Sequence, residues 1–386
     1  MRLTQSILIH NARLALGERL VPEGWLLVRR GRIAKIGWAQ PLPDETVDRV
    51  IDAQGGILAP GMIDLHVHGA MGHDTMDASP EGLGAMARMY AEHGVTSFLA
   101  TTMTASHASI MAALGCVART MAEGTGGAAL LGAHVEGPYV DLARRGAQAS
   151  DHVRRAAPRE SDDLFETGVV RCITLAPEFP ENQRLIVEAV RHGVAVSLGH
   201  SRADAQDVAR VVVLGASQVT HLYNGLEPMH HRRPGVVGAA LTMPELRCQL
   251  IADTVHVSPI MLNLAYRAKG PDGIILVTDA MAGTGMPDGR YHLGKSEVIV
   301  QNGEARLPEG NLAGSTLTLD RAVRNMMAAC HLALPQALRM ATETPARALG
   351  LSDRGRLVVG ARADLMLIDD TMSVRATVVG GEVVAG

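Results

Sequence analysis

Eight apolar runs recur along the middle of the chain. They lie near residues 62–68, 95–102, 129–136, 169–176, 194–200, 217–222, 248–253 and 273–279. Segments of helical periodicity separate them, a pattern typical of parallel strands covered by crossover helices. Eight such units in a chain of 386 residues predict an α/β protein with a (β/α)8 TIM-like barrel, since that fold needs about 250 residues and leaves room for a smaller domain.

The two ends of the chain have a different pattern of short strands and tight turns. Examples are the apolar runs at 25–28 and 376–379, which Gly and Asp turns interrupt. Because chain ends that flank an inserted domain tend to lie close together, we expect residues 1–58 and 350–386 to form one small β-sandwich. Residues 59–349 would then form the barrel.

Two local signals predict individual elements. Ser79, Pro80 and Gly94 punctuate the first crossover helix as N-cap, first-turn proline and terminating glycine. After the last barrel strand, the Gly- and Pro-rich segment 281–314 reads as an inserted loop. It contains a hairpin that turns at Asn302-Gly303.

Acidic and imidazole side chains stand where several of the apolar runs end. They are His66, His68, Glu136, His200, His221 and Asp279. Each has an ordinary structural explanation, such as a turn carboxylate or a helix cap. Their common position at strand ends favours one shared site, because the carboxyl ends of barrel strands meet at a single face. Imidazole and carboxylate ligands suit a divalent ion such as zinc, iron, manganese or cobalt.

Composition excludes several other classes of function. The net charge of −4 argues against a general nucleic-acid-binding surface. The four cysteines are scattered without a C-x-x-C pair, which fits buried thiols rather than thiol catalysis. The N-terminal apolar run is too short for a secretory signal, and no run of about 20 apolar residues predicts a membrane span. We therefore expect a cytoplasmic protein.

The motifs around these residues identify a family. They are PGMIDLHVHG at 60–69, HVEGPY at 134–139, LGHS at 198–201, THLYNG at 220–225, RRPG at 232–235, IADTVH at 251–256, LVTDAM at 276–281 and LAGSTLT at 312–318. With this set the chain resembles, almost from end to end, the N-acetylglucosamine-6-phosphate deacetylases of the amidohydrolase superfamily.

The resemblance implies a metal site and a catalytic residue. Glu136, His200 and His221 would hold the main divalent ion, and Asp279 would be the catalytic acid and base. Because His66 and His68 are both present, one or two ions per chain are expected, with zinc the first candidate and Glu136 as the bridge. None of the three lysines ends a barrel-like run, so a carboxylated lysine does not fill the bridging role.

The resemblance also implies a set of substrate contacts. They are Ala147, Gln148, Asn224, Gly225, Arg232, His256, Leu312, Ala313 and Gly314. Arg232 and His256 would face the phosphate, with Arg232 reaching the neighbouring subunit of a homodimer; from the residues alone, this basic loop could equally be a solvated surface. Two positions depart from the family pattern: Gln148 stands where a histidine is common, and Arg233 where a glutamate is common.

The predicted function is metal-dependent hydrolysis of the acetamide of N-acetylglucosamine 6-phosphate, which gives glucosamine 6-phosphate and acetate. Three alternatives stay open. One is a deacetylase of another amino sugar, such as N-acetylgalactosamine 6-phosphate, and another is an amidohydrolase acting on a cyclic amide. The third is a barrel that has lost its metal and acts as a scaffold; the complete ligand set argues against it.

Overall fold

The structure is a computed structural model, and it describes residues 6–386. The strands are β1 (Ile7–Leu16), β2 (Arg19–Arg29), β3 (Arg32–Trp38), β4 (Arg49–Asp52), β5 (Ile57–Pro60), β6 (Met62–Val67), β7 (Gly69–Ala70), β8 (His73–Asp74), β9 (Val95–Thr102), β10 (Ala129–Glu136), β11 (Val170–Leu175), β12 (Ala195–Leu198), β13 (Gln218–Val219), β14 (Arg247–Ile251), β15 (Ile274–Val277), β16 (Gly289–Leu293), β17 (Ser296–Gln301), β18 (Glu304–Arg306), β19 (Leu365–Ile368), β20 (Val374–Val379) and β21 (Glu382–Ala385).

Ten α-helices lie between these strands in the described part of the chain. They are α1 (Pro80–Glu92), α2 (His107–Glu123), α3 (Pro158–Glu166), α4 (Pro180–Arg191), α5 (Ala205–Val213), α6 (Gly235–Thr242), α7 (Pro259–Gly273), α8 (Leu319–Cys330), α9 (Leu334–Arg339) and α10 (Glu343–Ala348). Within residues 6–386, no helix combines the length and the apolar character that crossing a bilayer requires.

The barrel is built from the eight predicted apolar runs. Its parallel strands follow the order β6, β9, β10, β11, β12, β13, β14, β15. Beyond β15, Ala280 forms a parallel bridge with Val67 and accepts hydrogen bonds from the backbone of His68 and Gly69, which closes the ring. The strands are buried on both faces, as expected where helices surround a parallel sheet. The predicted fold class is therefore confirmed.

The terminal segments form one mixed sheet. Its order is β21, β20, β19, β5, β1, β2, β3, with β4 pairing beside β1. Alternate side chains of the strands point to opposite faces, so Ile7 and Ile9 enter the main core of this sheet while Leu8 packs with Trp25 on the other side. Side chains from both the N-terminal and the C-terminal strands share that core.

The limits of the two domains, 1–58 with 350–386 and 59–349, stay a proposal. The last terminal strand before the barrel, β5, ends at Pro60, and α10 ends at Ala348, which supports boundaries near those positions. The first five residues of the terminal domain lie outside the described residues.

The local signals have the predicted structural effect. The side-chain oxygen of Ser79 accepts a hydrogen bond from the backbone of Gly82 at the start of α1, with Pro80 at the first helical position. Asn302 and Gly303 turn the hairpin of β17 and β18. The sequence did not predict β16, which adds a third strand to this hairpin.

Candidate active site

Six residues predicted as ligands or as the catalytic acid and base meet at the carboxyl end of the barrel. His66 lies in β6 and His68 directly after it, Glu136 ends β10, His200 follows β12, His221 follows β13 and Asp279 follows β15. All six side chains are buried. Residues separated by more than 200 positions in the sequence are thus brought within contact distance by the barrel.

Glu136 lies between two pairs of histidines. Its Oε1 atom is 3.2 Å from His200 Nε2 and 3.1 Å from His221 Nε2. Its Oε2 atom is 3.3 Å from His68 Nε2, and His66 Nε2 is 3.5 Å from Oε1. The glutamate therefore belongs to two groups of potential metal ligands, one with each histidine pair.

An oxygen acceptor holds the Nδ1 atom of every one of these histidines. The contacts are His66 to Gln249 Oε1 at 3.2 Å, His68 to Thr101 O at 3.2 Å, His200 to Arg144 O at 2.8 Å and His221 to Asn224 O at 3.0 Å. A carbonyl oxygen can only accept, so each Nδ1 carries the hydrogen, and in the neutral imidazole each Nε2 presents a lone pair. Such contacts orient metal-binding histidines and select the tautomer that can coordinate.

The converging Nε2 atoms fit a cation. His66 Nε2 is 3.2 Å from His68 Nε2, and His200 Nε2 is 3.2 Å from His221 Nε2. When these imidazoles are neutral, two lone pairs face each other across each short distance, which is repulsive unless a proton or a metal ion lies between them. Nitrogen and carboxylate ligands with this convergence suit a divalent metal ion.

The charges of the site perturb the pKa values of its acids. Burial raises the pKa of Glu136, but the facing His66, His200 and His221 outweigh that effect and hold the pKa well below its ordinary value. Burial acts in the same direction on Asp279, and the nearby His66 and His68 lower its pKa to about 2. Both carboxyl groups are therefore ionised at neutral pH and can accept a cation or a proton.

The backbone at three of these residues lies in the left-handed region. The φ angles are 49° at His200, 28° at His221 and 53° at Asp279. Non-glycine residues adopt this conformation at a cost, and such residues cluster at functional sites. At Asp279 the chain is held in place because its backbone N–H donates to the carbonyl of His66 and its carbonyl accepts from the N–H of Ser315.

A pocket of about 140 Å³ opens beside Glu136. The predicted residues that line it are His68, Glu136, Ala147, Gln148, His200, His221, Asn224, Gly225, His256, Asp279, Leu312 and Gly314. His66 is fully buried behind this surface, and Ala313 is buried between two lining residues. Arg232 lies elsewhere, in an exposed surface depression with Arg202, Glu227 and Arg233.

Sequence reasoning missed several residues that complete the pocket. Gln249 holds His66 and Thr101 holds His68. Asp253 holds His256 through a 2.7 Å contact to Nδ1, and Met103 and Leu293 form part of the pocket wall. One signal was available for Gln249: it is a polar residue inside the apolar run of β14, and a buried amide requires a partner.

Comparison with known proteins agrees with this geometry. A model of the amidohydrolase family matches residues 57–384. An N-acetylglucosamine-6-phosphate deacetylase from Lysinibacillus sphaericus is 39% identical over 382 residues, which cover 98% of this chain and 97% of the relative. The chain belongs to the N-acetylglucosamine-6-phosphate deacetylase family of amidohydrolases. The predicted resemblance is thereby confirmed.

Two further members of this deacetylase group bear on the substrate. The N-acetyl-D-glucosamine-6-phosphate deacetylase of Mycobacterium smegmatis, in a mutant form solved with N-acetyl-D-glucosamine-6-phosphate, superposes with a TM-score of 0.92 at 32% identity, covering 99% of this chain and 100% of the other. An N-acetylgalactosamine-6-phosphate deacetylase from Escherichia coli is 39% identical over 372 residues, 94% of this chain and 96% of the relative.

Proposed function

We propose that this amidohydrolase removes the acetyl group of N-acetylglucosamine 6-phosphate, giving glucosamine 6-phosphate and acetate. The observation that carries the proposal is the pair of histidine groups that share Glu136 and border a pocket beside the buried carboxylate of Asp279. Membership of the deacetylase family supports the same reaction.

The residues that would hold metal are Glu136, His200 and His221 for one ion, and Glu136, His66 and His68 for a second. A divalent ion at this position supplies a Lewis acid for the amide carbonyl and makes water a better nucleophile at neutral pH. The four histidines keep their ligand nitrogens in place through their Nδ1 contacts. Zinc is the first candidate among the divalent ions.

Asp279 would move the proton. Its carboxylate is ionised, and its Oδ1 atom is 3.2 Å from His68 Nε2 and 3.5 Å from His66 Nε2, which places it next to the proposed metal ligands. It can accept a proton from the attacking water and return it to the departing nitrogen, because amide cleavage needs a protonated leaving amine.

The sugar would occupy the pocket beside Glu136. Asn224 and Gly225 belong to the loop after β13, whose carbonyl at Asn224 also holds His221. Gly225 has a φ of 62°, and a Cβ atom there would lie 2.8 Å from His200 Nδ1, so only glycine fits beside that ligand. Ala147, Leu312 and Gly314 line the same pocket. Ala313 is buried between the last two, and its backbone N–H donates to the carbonyl of Ala305.

The phosphate would meet His256 from its own chain and Arg232 from a second subunit. Burial lowers the pKa of His256, but the contact with Asp253 outweighs it and raises the pKa above its ordinary value, which favours a cationic imidazole near an anion. Arg232 is exposed and lies outside the pocket of its own chain. A guanidinium that reaches a neighbouring site would make a homodimer the working unit, and guanidinium groups match phosphate oxygens well.

The test of this function is direct. The purified protein, with its metal content measured, is assayed for acetate release from N-acetylglucosamine 6-phosphate, from the unphosphorylated sugar and from N-acetylgalactosamine 6-phosphate. The proposal expects the first substrate to have the highest kcat/KM. A protein without metal, or one that releases no acetate from any of the three, would refute it.

N-acetylgalactosamine 6-phosphate is the second candidate substrate. The Escherichia coli relative that is named for this sugar shares as much sequence with the chain as the Lysinibacillus sphaericus relative does. A higher kcat/KM on the galactosamine compound would transfer the proposal to it while leaving the metal-dependent chemistry unchanged.

Location in the cytoplasm also stays a prediction.

A further inference from the structure

Gln148 makes two hydrogen bonds inside the protein. The residue is only 4% exposed. The Nε2 atom donates to Glu136 Oε2 at 2.6 Å, and the Oε1 atom accepts from the backbone N–H of Thr104 at 2.7 Å. A backbone N–H can only donate, so the Thr104 contact determines which end of the amide carries oxygen. The donor end is thereby directed at the glutamate.

Glu136 needs such a contact because its last torsion angle is soft. Rotation about the bond to a carboxyl group has broad minima, so the chain alone does not fix the plane of the carboxylate. Within residues 6–386, Gln148 is the one hydrogen-bond partner of the Glu136 carboxylate that is not itself a candidate metal ligand. It can therefore hold the carboxylate plane whether or not the histidines are bound to metal.

The loop that carries Gln148 also holds a histidine. Arg144, four residues earlier, accepts a hydrogen bond from His200 Nδ1 through its carbonyl, and the N–H of Gln148 donates to the carbonyl of Arg145. The segment 144–148 thus positions both the carboxylate of Glu136 and the imidazole of His200. A substitution in this segment should weaken metal binding more than it weakens sugar binding.

We propose that Gln148 is a positioning residue for Glu136, which it holds in the orientation that both histidine pairs share. The inference rests on the proposed metal site. It differs from a substrate contact at this position because the amide oxygen and one N–H of the amide are already paired within the protein. Loss of a group that orients a metal ligand typically weakens metal affinity or activity by about 10–100-fold.

The experiment measures zinc affinity of metal-free protein by competition with a chelator, together with kcat and KM. The variants are Gln148→Met, which removes both hydrogen bonds at similar volume, and Gln148→Asn, which keeps the amide but is too short to span both partners. The control is Gln183→Met, the same exchange on α4, where the side chain donates to the carbonyl of Pro177. Circular dichroism checks the fold; if Gln148→Met does not fold, the asparagine variant carries the test.

We expect both Gln148 variants to bind zinc about 10–100-fold more weakly than the wild type and the control. With zinc saturating, KM for the phosphorylated sugar should change less than about threefold, because a positioning role gives Gln148 no ground-state contact with the sugar. Unchanged zinc affinity would overturn the inference, whether or not KM rises. A wild-type protein that binds no zinc would instead refute the proposed metal site itself.

Discussion

Replacing Asp279 by asparagine should remove most of the turnover and leave the site assembled. Asparagine keeps the size of the side chain and tolerates the left-handed backbone at this position, where φ is 53°, better than most residues. The backbone contacts to His66 and Ser315 do not involve the exchanged atom. The variant should therefore fold, bind metal and bind substrate as the wild type does.

The size of the effect follows from burial and chemistry. The side chain of Asp279 is 11% exposed and touches two proposed metal ligands, so buffer has little access to replace it as a proton carrier. An amide cannot take up a proton and return it, and a positioned acid and base contributes about 10²–10⁴-fold. That loss corresponds to about 3–5 kcal/mol in the activation free energy.

The assay compares kcat at saturating substrate in preparations with equal metal content. Asp370→Asn serves as the matched control, since that aspartate is exposed and pairs with Arg13 at the surface. A decrease in kcat of less than about tenfold would be too small for a sole proton shuttle, and the role would then belong to another group.

Four further outcomes are expected. His200→Ala should abolish tight metal binding together with activity, since it removes a ligand nitrogen; full metal occupancy measured by elemental analysis would contradict this. His66→Ala should lower the number of ions per chain while the other histidine pair stays filled, and an unchanged content near one ion would show that this histidine only shapes the pocket. Arg232→Ala should raise KM for the phosphorylated sugar by about 10–100-fold, the value of a lost charge-assisted contact, and an equal effect on the unphosphorylated sugar would refute the phosphate role. The contact with Asp253 raises the pKa of His256, so the imidazole stays cationic to a higher pH than usual, and KM for the phosphorylated sugar should rise only above that raised pKa. In Asp253→Asn the rise in KM should begin at lower pH. Identical KM profiles for the wild type and this variant would show that His256 does not bind the phosphate.

The proposal that Arg232 acts in the neighbouring site can be tested separately. Chains with Arg232→Ala are mixed with chains carrying Asp279→Asn, so that each heterodimer contains one site with both intact residues if the arginine acts across the interface. Activity should then recover in part. Verified heterodimers without recovery would place the arginine in the site of its own subunit.

Much of the fold could be predicted because its signals are local. The eight apolar runs have the length of buried strands, and a parallel barrel is the arrangement that buries such runs on both faces. The same rule explains why Glu136, His200 and Asp279 could be grouped from their positions alone: side chains at the carboxyl ends of barrel strands share one face. The sequence by itself thus determined the barrel and the chemical type of the site.

Only the tertiary structure decided how that site is held. The acceptors for His200 and His221 are the carbonyls of Arg144 and Asn224, and every residue has a carbonyl, so sequence contains no signal for them. Gln148 was predicted to contact the substrate, and only the structure shows that its amide also pairs with Glu136 and the backbone of Thr104. Periodicity reports which residues are buried along one segment. These contacts depend instead on the path of loops that bring distant backbone atoms within about 3 Å of a candidate metal-binding side chain.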